Sequence, residues 1–242
     1  MLFRHIYEVW VIFIKIASAI MHFMRKAILF DMDGVIVHSE SLWNEREPAY
    51  LRRILTSAAA DQIIGNTRGL SESLIYEWAK KLGYDGTRKA FYDGYDKLAQ
   101  KIYATCTITP GMDMLLGELK KSSMPVGLVS SSPMDWIRIV LSRLANGDVF
   151  RFVESVNAHP ELRPKPAPDG YIAAMKALEV SPGNTLIIED SQTGINAAIA
   201  SGAHVCCFAL HVDKQKMPTG VTQYAHTIQE LKNACLAFVT TP

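Results

Sequence analysis

The chain has 242 residues, 49% of them hydrophobic and 20% charged. That excludes a disulfide-stapled miniature and a disordered solvating chain, and leaves room for one large domain or a domain carrying a smaller insert. Lys and Arg number 25 against 24 Asp and Glu, so no bulk basic field points to nucleic acid and any anionic ligand must be met by local chemistry.

Residues 1–24 read differently from the rest. Val9-Trp10-Val11-Ile12-Phe13-Ile14 is their densest apolar run. A membrane helix needs roughly 20 apolar residues, and Arg4, Glu8, Lys15 and His22 interrupt this one. Lys15 at mid-span would cost about 2.5–3.5 kcal/mol. Ala17-Ser18-Ala19 resembles a signal cleavage site, but Lys15 lies between it and a short apolar core. We read 1–24 as an apolar leader outside the fold, with a membrane anchor or a secretory signal as alternatives. Met24-Arg25-Lys26, followed at once by a strand, looks like the natural start of a cytosolic chain.

From Lys26 the pattern is regular. Ala27-Ile28-Leu29-Phe30 is a buried-strand run ending in Asp31. About ninety residues then pass before the next strand, far beyond the roughly 2–6 residues of an ordinary strand-to-helix loop. The interval is helical in pattern over 42–55, 71–82 and 91–103, and Thr109-Pro110-Gly111 closes it. We read it as an inserted helical domain. Pro125 to Val129 is a second strand, ending in Ser130-Ser131-Ser132, and a helix follows from Pro133 to Leu144. Arg151 to Val156 is a weaker third strand, followed by a helix from Asp169 to Leu178. Thr185 to Ile188 is a fourth, ending in Glu189-Asp190, with a helix from Gly194 to Ala200 that Gly202 stops. His204 to Phe208 is a fifth. Such alternation predicts α/β, with right-handed crossovers and a parallel sheet covered on both faces. Cys106, Cys206, Cys207 and Cys235 make no C-x-x-C pair and read as buried free thiols in a reducing compartment.

In an open parallel sheet, ligands bind beyond the carboxyl ends of the strands. Asp31 and Asp33, Ser130, and Glu189-Asp190 lie at three such ends, and Lys165 sits in the Pro-rich loop 163–169. Converging carboxylates repel, and a bound divalent cation resolves the repulsion. All-oxygen ligands favour Mg²⁺. Lys165, the Ser130 hydroxyl and backbone N–H groups around Asp33-Gly34 can hold phosphate oxygens, and Gly34 permits a close turn. Asp31 can attack phosphorus as a carboxylate, and Asp33 can serve as acid and then base.

Phe30-Asp31-Met32-Asp33-Gly34-Val35 resembles the first motif of the haloacid dehalogenase-like hydrolases. Ser130 resembles the second motif, Lys165 in Lys-Pro-x-Pro-Asp the third, and Ile188 to Ile195 the fourth. The likeness spans residues 25 to about 235 and is closest to the helical-cap sugar-phosphate phosphatases and the beta-phosphoglucomutase-like group. It implies a Rossmann-like core (25–38 and 110–242) with an inserted α-helical cap (39–109). It implies an aspartyl-phosphate on Asp31, with Asp33 protonating the leaving alcohol and then activating water. Mg²⁺ would meet the Asp31 and Asp190 side chains and the Asp33 carbonyl, with Glu189 in or near the metal shell.

Gly65-Asn66-Thr67-Arg68 resembles the cap loop whose arginine grips the distal part of the substrate, so Arg68 is a candidate specificity residue. Trp43 stands where the mutases carry a histidine. Indole cannot move that proton, so Trp43 lines a sugar pocket or packs the cap. His38 replaces the Asp common in the family. The expected function is a Mg²⁺-dependent phosphatase of a small phosphomonoester, a sugar or polyol phosphate. A beta-phosphoglucomutase-like phosphomutase is the alternative, and a non-catalytic membrane-tethered binding protein a more distant one. A cytoplasmic monomer with no nucleic-acid partner is expected, with membrane association only through 1–24.

Overall fold

The computed structural model describes residues 10, 25–67, 70, 72–212, 215, 217–221 and 223–240. The readings made for the leader therefore lie outside the described residues, Trp10 aside. Strand β1 (Ala27–Phe30) leads to a two-residue strand, β2 (Val37–His38). Helices α1 (Glu40–Ile54), α2 (Ser57–Ile63), α3 (Glu72–Lys81) and α4 (Arg88–Thr105) follow, closed by β3 (Thr107–Ile108). Then come α5 (Met112–Lys121), β4 (Val126–Ser130), α6 (Met134–Ser142), β5 (Phe150–Ser155) and α7 (Asp169–Leu178). The chain ends with β6 (Thr185–Glu189), α8 (Gln192–Ala200), β7 (His204–Phe208), β8 (Gln223–Ala225) and α9 (Ile228–Thr240).

The six-stranded sheet runs β5-β4-β1-β6-β7-β8, and every neighbouring pair is parallel. Strand β1 is central, flanked by β4 on one side and β6 on the other. The chain builds outward through β4 and β5, then returns across β1 to begin the other half at β6. That reversal is the switch point where a crevice opens at the strand ends. Alternation along β1 divides its side chains between two packed faces. Ile28 and Phe30 join Leu115, Leu116, Ile137, Val140 and Leu231 on one side. Ala27 and Leu29 join Tyr171, Ala174, Met175 and Ala197 on the other.

The helical region α1–α4 is inserted between β1 and β4, as expected. Its two crossings run side by side, because β2 and β3 pair antiparallel with His38 opposite Thr107. The Thr109 hydroxyl donates to the Val35 carbonyl at 2.7 Å, and its N–H donates to Ile36 at 2.9 Å. Inside the insertion, Tyr50, Tyr76, Tyr84, Phe91 and Tyr95 form a mostly edge-to-face aromatic core.

Helix α2 lies between two predicted helices, in a stretch for which the sequence predicts none. It is alanine-rich, carries no strong apolar stripe, and starts where Thr56 accepts the Ala59 N–H. Strand β8 is three residues long with two exposed, so no apolar run marks it. Helices α5 and α9 also lie outside the predicted elements. The buried residues of α5, Met112, Leu115, Leu116 and Leu119, do follow helical spacing. Among the described residues no helix is long and apolar enough to cross a membrane.

Leu29 is fully buried and lies against Gly127, where an added Cβ would come 2.7 Å from its Cδ2. Leu29→Ala opens a cavity that the close β1–β4 contact cannot refill. It should cost about 2–5 kcal/mol, read as a lower denaturant midpoint at an unchanged slope.

Candidate active site

Asp31 follows the last residue of β1, Ser130 ends β4, and Glu189-Asp190 stand at the end of β6. One cation ties these ends together. The Lys165 ammonium donates to Asp31 Oδ1 at 2.6 Å, Glu189 Oε1 at 2.7 Å and the Val129 carbonyl at 3.2 Å. It also lies 4.9 Å from the centre of the Tyr171 ring. Arg163, the rival in the same loop, turns outward and pairs with Asp169.

Burial alone would favour a neutral amine at Lys165, but the Asp31 and Glu189 charges overcome it and hold the ammonium well above the usual lysine range. Burial pushes the Asp31 carboxyl up, opposed by the Lys165 charge and reinforced by Glu189. Glu189 is fully buried and heavily bonded. Its Oε1 also takes the Tyr171 hydroxyl at 2.7 Å, and its Oε2 takes the Asp190 and Ser191 N–H groups and the Ser191 hydroxyl.

Asp31, Glu189 and Asp190 each offer a carboxylate oxygen, all within 4.8 Å of one another. The donors are all oxygen, and Lys165 pairs with two of the three carboxylates, Asp31 and Glu189. A cluster of carboxylate oxygens suits a hard divalent cation, so the residues fit such an ion. Gly34 shapes this cradle. Its φ is +84°, and a Cβ there would lie 1.9 Å from Asp190 Oδ2. The expectation that its N–H faces phosphate is corrected, because that N–H donates to the Val37 carbonyl at 2.7 Å. Its contribution to the site is room for Asp190.

Asp33 is pushed up by burial, but three hydroxyl donors oppose the shift. These are Ser39, Ser132 at 2.9 Å and Tyr103 at 3.0 Å. Ser39 precedes α1, and its hydroxyl bonds Asp33 instead of capping the helix. Burial and the Asp33 charge hold the Tyr103 hydroxyl protonated, well above the usual tyrosine range. Ser130 accepts the Ser132 N–H at 3.0 Å, which shapes the turn carrying Ser132 to Asp33.

Trp43 packs in the seam between insertion and core. It stacks on Tyr95 at 5.3 Å and lies 5.7 Å from Trp136 of α6, whose indole N–H donates to Asp96 of α4 at 2.7 Å. Arg68 lies outside the described residues. His38 stacks on His211 of the loop after β7, with ring centres 4.1 Å apart. Sequence reasoning missed Ser39, Tyr103, Ser132, Tyr171 and Gly194. Two of these had a visible signal: Ser39 follows the first motif closely, and Ser132 stands two residues beyond Ser130.

A family model of haloacid dehalogenase-like hydrolases matches residues 28–208. Validoxylamine A 7'-phosphate phosphatase of Streptomyces hygroscopicus subsp. limoneus is 28% identical over 181 residues, 74% of this chain and 83% of that protein. Hexitol phosphatase B of Escherichia coli (strain K12) is 25% identical over 184 residues, 72% of this chain and 79% of that one. A HAD family hydrolase from Deinococcus radiodurans, solved with phosphate and sodium, aligns at a TM-score of 0.66 and 21% identity, covering 90% of this chain and 99% of that one. A beta-phosphoglucomutase from Clostridium difficile aligns at 0.65 and 20% identity, covering 88% of this chain and all of that one. These two structures share the fold.

Gly194 opens α8 against Glu189, and a Cβ there would lie 1.8 Å from Glu189 Oε1. Alanine normally favours a helix interior over glycine by about 0.8–1.0 kcal/mol. Here Glu189 is too heavily bonded to yield, so Gly194→Ala should instead destabilise by about 1–3 kcal/mol. A thermal midpoint that stays level or rises would contradict this packing.

Proposed function

The chain belongs to the haloacid dehalogenase-like hydrolase family, and from that premise we propose that it is a Mg²⁺-dependent phosphatase of a small phosphomonoester, with sugar and polyol phosphates as its substrate class. The single observation that carries the reading is Asp31 held at the switch point by Lys165, with Asp190 beside it and the hydroxyl-bound Asp33 two residues on.

In this reading Asp31 attacks phosphorus, and the bond from phosphorus to the ester oxygen breaks. Asp33 gives its proton to the departing alcohol. Asp33 then takes a proton from water as that water attacks the aspartyl-phosphate, which releases Asp31 and inorganic phosphate. Lys165 and Ser130 hold phosphoryl oxygens and spread the charge that develops there. Asp31, Asp190 and the Asp33 carbonyl would hold Mg²⁺, with Glu189 behind Lys165 and beside the metal. The ion supplies charge neutralisation at the phosphoryl oxygens.

We take 39–109 as the cap over a core of 25–38 and 110–242. Its closing would exclude bulk water during the phosphoryl transfer to Asp31. The named activities of the validoxylamine phosphate and hexitol phosphate relatives support a polyhydroxylated ester. Trp43 supports hydrolysis over phosphomutase chemistry, since indole has no proton to exchange at neutral pH. Arg68 is retained as the proposed cap arginine. Four buried free thiols support a reducing, cytoplasmic setting.

Asp31→Asn should reduce hydrolysis of a hexitol monophosphate in Mg²⁺ to background while the circular dichroism spectrum is unchanged. Full activity in that variant would refute covalent catalysis. Chelating the metal should stop turnover and added Mg²⁺ should restore it. An enzyme indifferent to chelation ends the metal assignment.

A further inference from the structure

Ser39 and Ser132 reach Asp33 from segments next to the site, whereas Tyr103 reaches it from α4, the last helix of the insertion. The Tyr103 oxygen lies 3.0 Å from Asp33 Oδ1 and 3.3 Å from Ser132 Oγ, and Ser132 Oγ lies 2.9 Å from Asp33 Oδ2. Both oxygens of one carboxylate are thus held in a single ring of contacts.

Tyr103 is itself fixed on several sides. It is 2% exposed, with its ring 5.5 Å from Trp136 and 6.3 Å from Trp43. Its carbonyl accepts from Arg143, which also bonds the Cys106 carbonyl. Arg143 and Trp136 belong to the core side, so core residues clamp the end of α4 that presents the hydroxyl.

We propose that Tyr103 is a positioning residue for Asp33, holding its carboxyl toward the leaving oxygen. The inference rests on the phosphatase reading of Asp33. Tyr103 itself acts through Asp33 and needs no contact with phosphate or metal.

The consequence depends on the leaving group. An alkoxide leaves only if it is protonated as the bond breaks, so its departure needs an aligned acid. A nitrophenolate leaves without that help. The ratio kcat/KM covers the steps up to phosphoryl transfer and so isolates this difference.

The experiment compares wild type with Tyr103→Phe on sorbitol phosphate and on para-nitrophenyl phosphate. Phenylalanine keeps the ring packing of Trp43 and Trp136. The expected result is a fall in kcat/KM of about tenfold or more on the sorbitol ester, and of no more than about threefold on the aryl ester. Asp33→Asn, run in parallel, should show the same bias more strongly. Equal losses on both esters would mean a structural role and would overturn the proposal, as would no loss on either. Aryl-ester turnover also reports that the variant is folded. If wild type cleaves neither ester, the phosphatase reading falls and takes this inference with it. If wild type cleaves both and Asp31→Asn neither, the ratio alone decides on Tyr103.

Discussion

The Lys165 ammonium sits where three parallel strands end, bonded at once to Asp31, Glu189 and the Val129 carbonyl. A buried cation is tolerable only where opposite charge and acceptors surround it. The buried carboxylates in turn need the cation, so each makes the other's burial affordable. The arrangement fixes the distances between β1, β4 and β6 at their functional ends. Tyr171 and Ser191 extend it by bonding Oε1 and Oε2 of Glu189, so α7 and the start of α8 are tied into the same network. Gly34 and Gly194 permit it, since a methyl group at either position would strike a carboxylate.

The second constraint is how Asp33 is held. A buried carboxyl without donors would stay protonated, and one bonded too firmly would lose its use as an acid. Here three neutral hydroxyls share the work, which gives orientation without a full compensating charge. Their origins differ: one precedes α1, one follows β4 and one ends α4. The aromatic seam of Trp43, Tyr95, Tyr103 and Trp136 brings these segments together. Packing at the seam and polarity at the acid are therefore linked through a single tyrosine.

The legible parts of this architecture are those with local causes. An apolar run ending in an acid marks β1 and β6, because a buried strand must be apolar and its end must not be. The Pro spacing around Lys165 separated it from Arg163, and the structure puts Lys165 inside and Arg163 at the surface. What stayed hidden depends on non-local placement. Tyr171 reads as one more apolar-face residue of α7, and only the crossing of α7 over the sheet turns its hydroxyl toward Glu189. Tyr103 lies seventy positions from Asp33 in sequence, so no spacing connects them. Gly34 was legible as a special residue but not for the right reason, because whether its N–H is free depends on the Val37 turn.

The same network sets a requirement on substrate binding. In this structure Lys165 donates to Asp31, the residue read as the nucleophile. An ammonium bonded to an attacking carboxylate withdraws the electron density that attack requires. A phosphate dianion entering the crevice offers oxygens that compete for the same proton donors, and a cation held by Asp31 and Asp190 would supply the charge that Asp31 then loses. The same ammonium is bonded to Glu189 at 2.7 Å, so it has a second anchor besides Asp31. Besides Lys165, four protein groups bond the Glu189 carboxylate and hold it in place: the Tyr171 hydroxyl, the Asp190 and Ser191 N–H groups and the Ser191 hydroxyl.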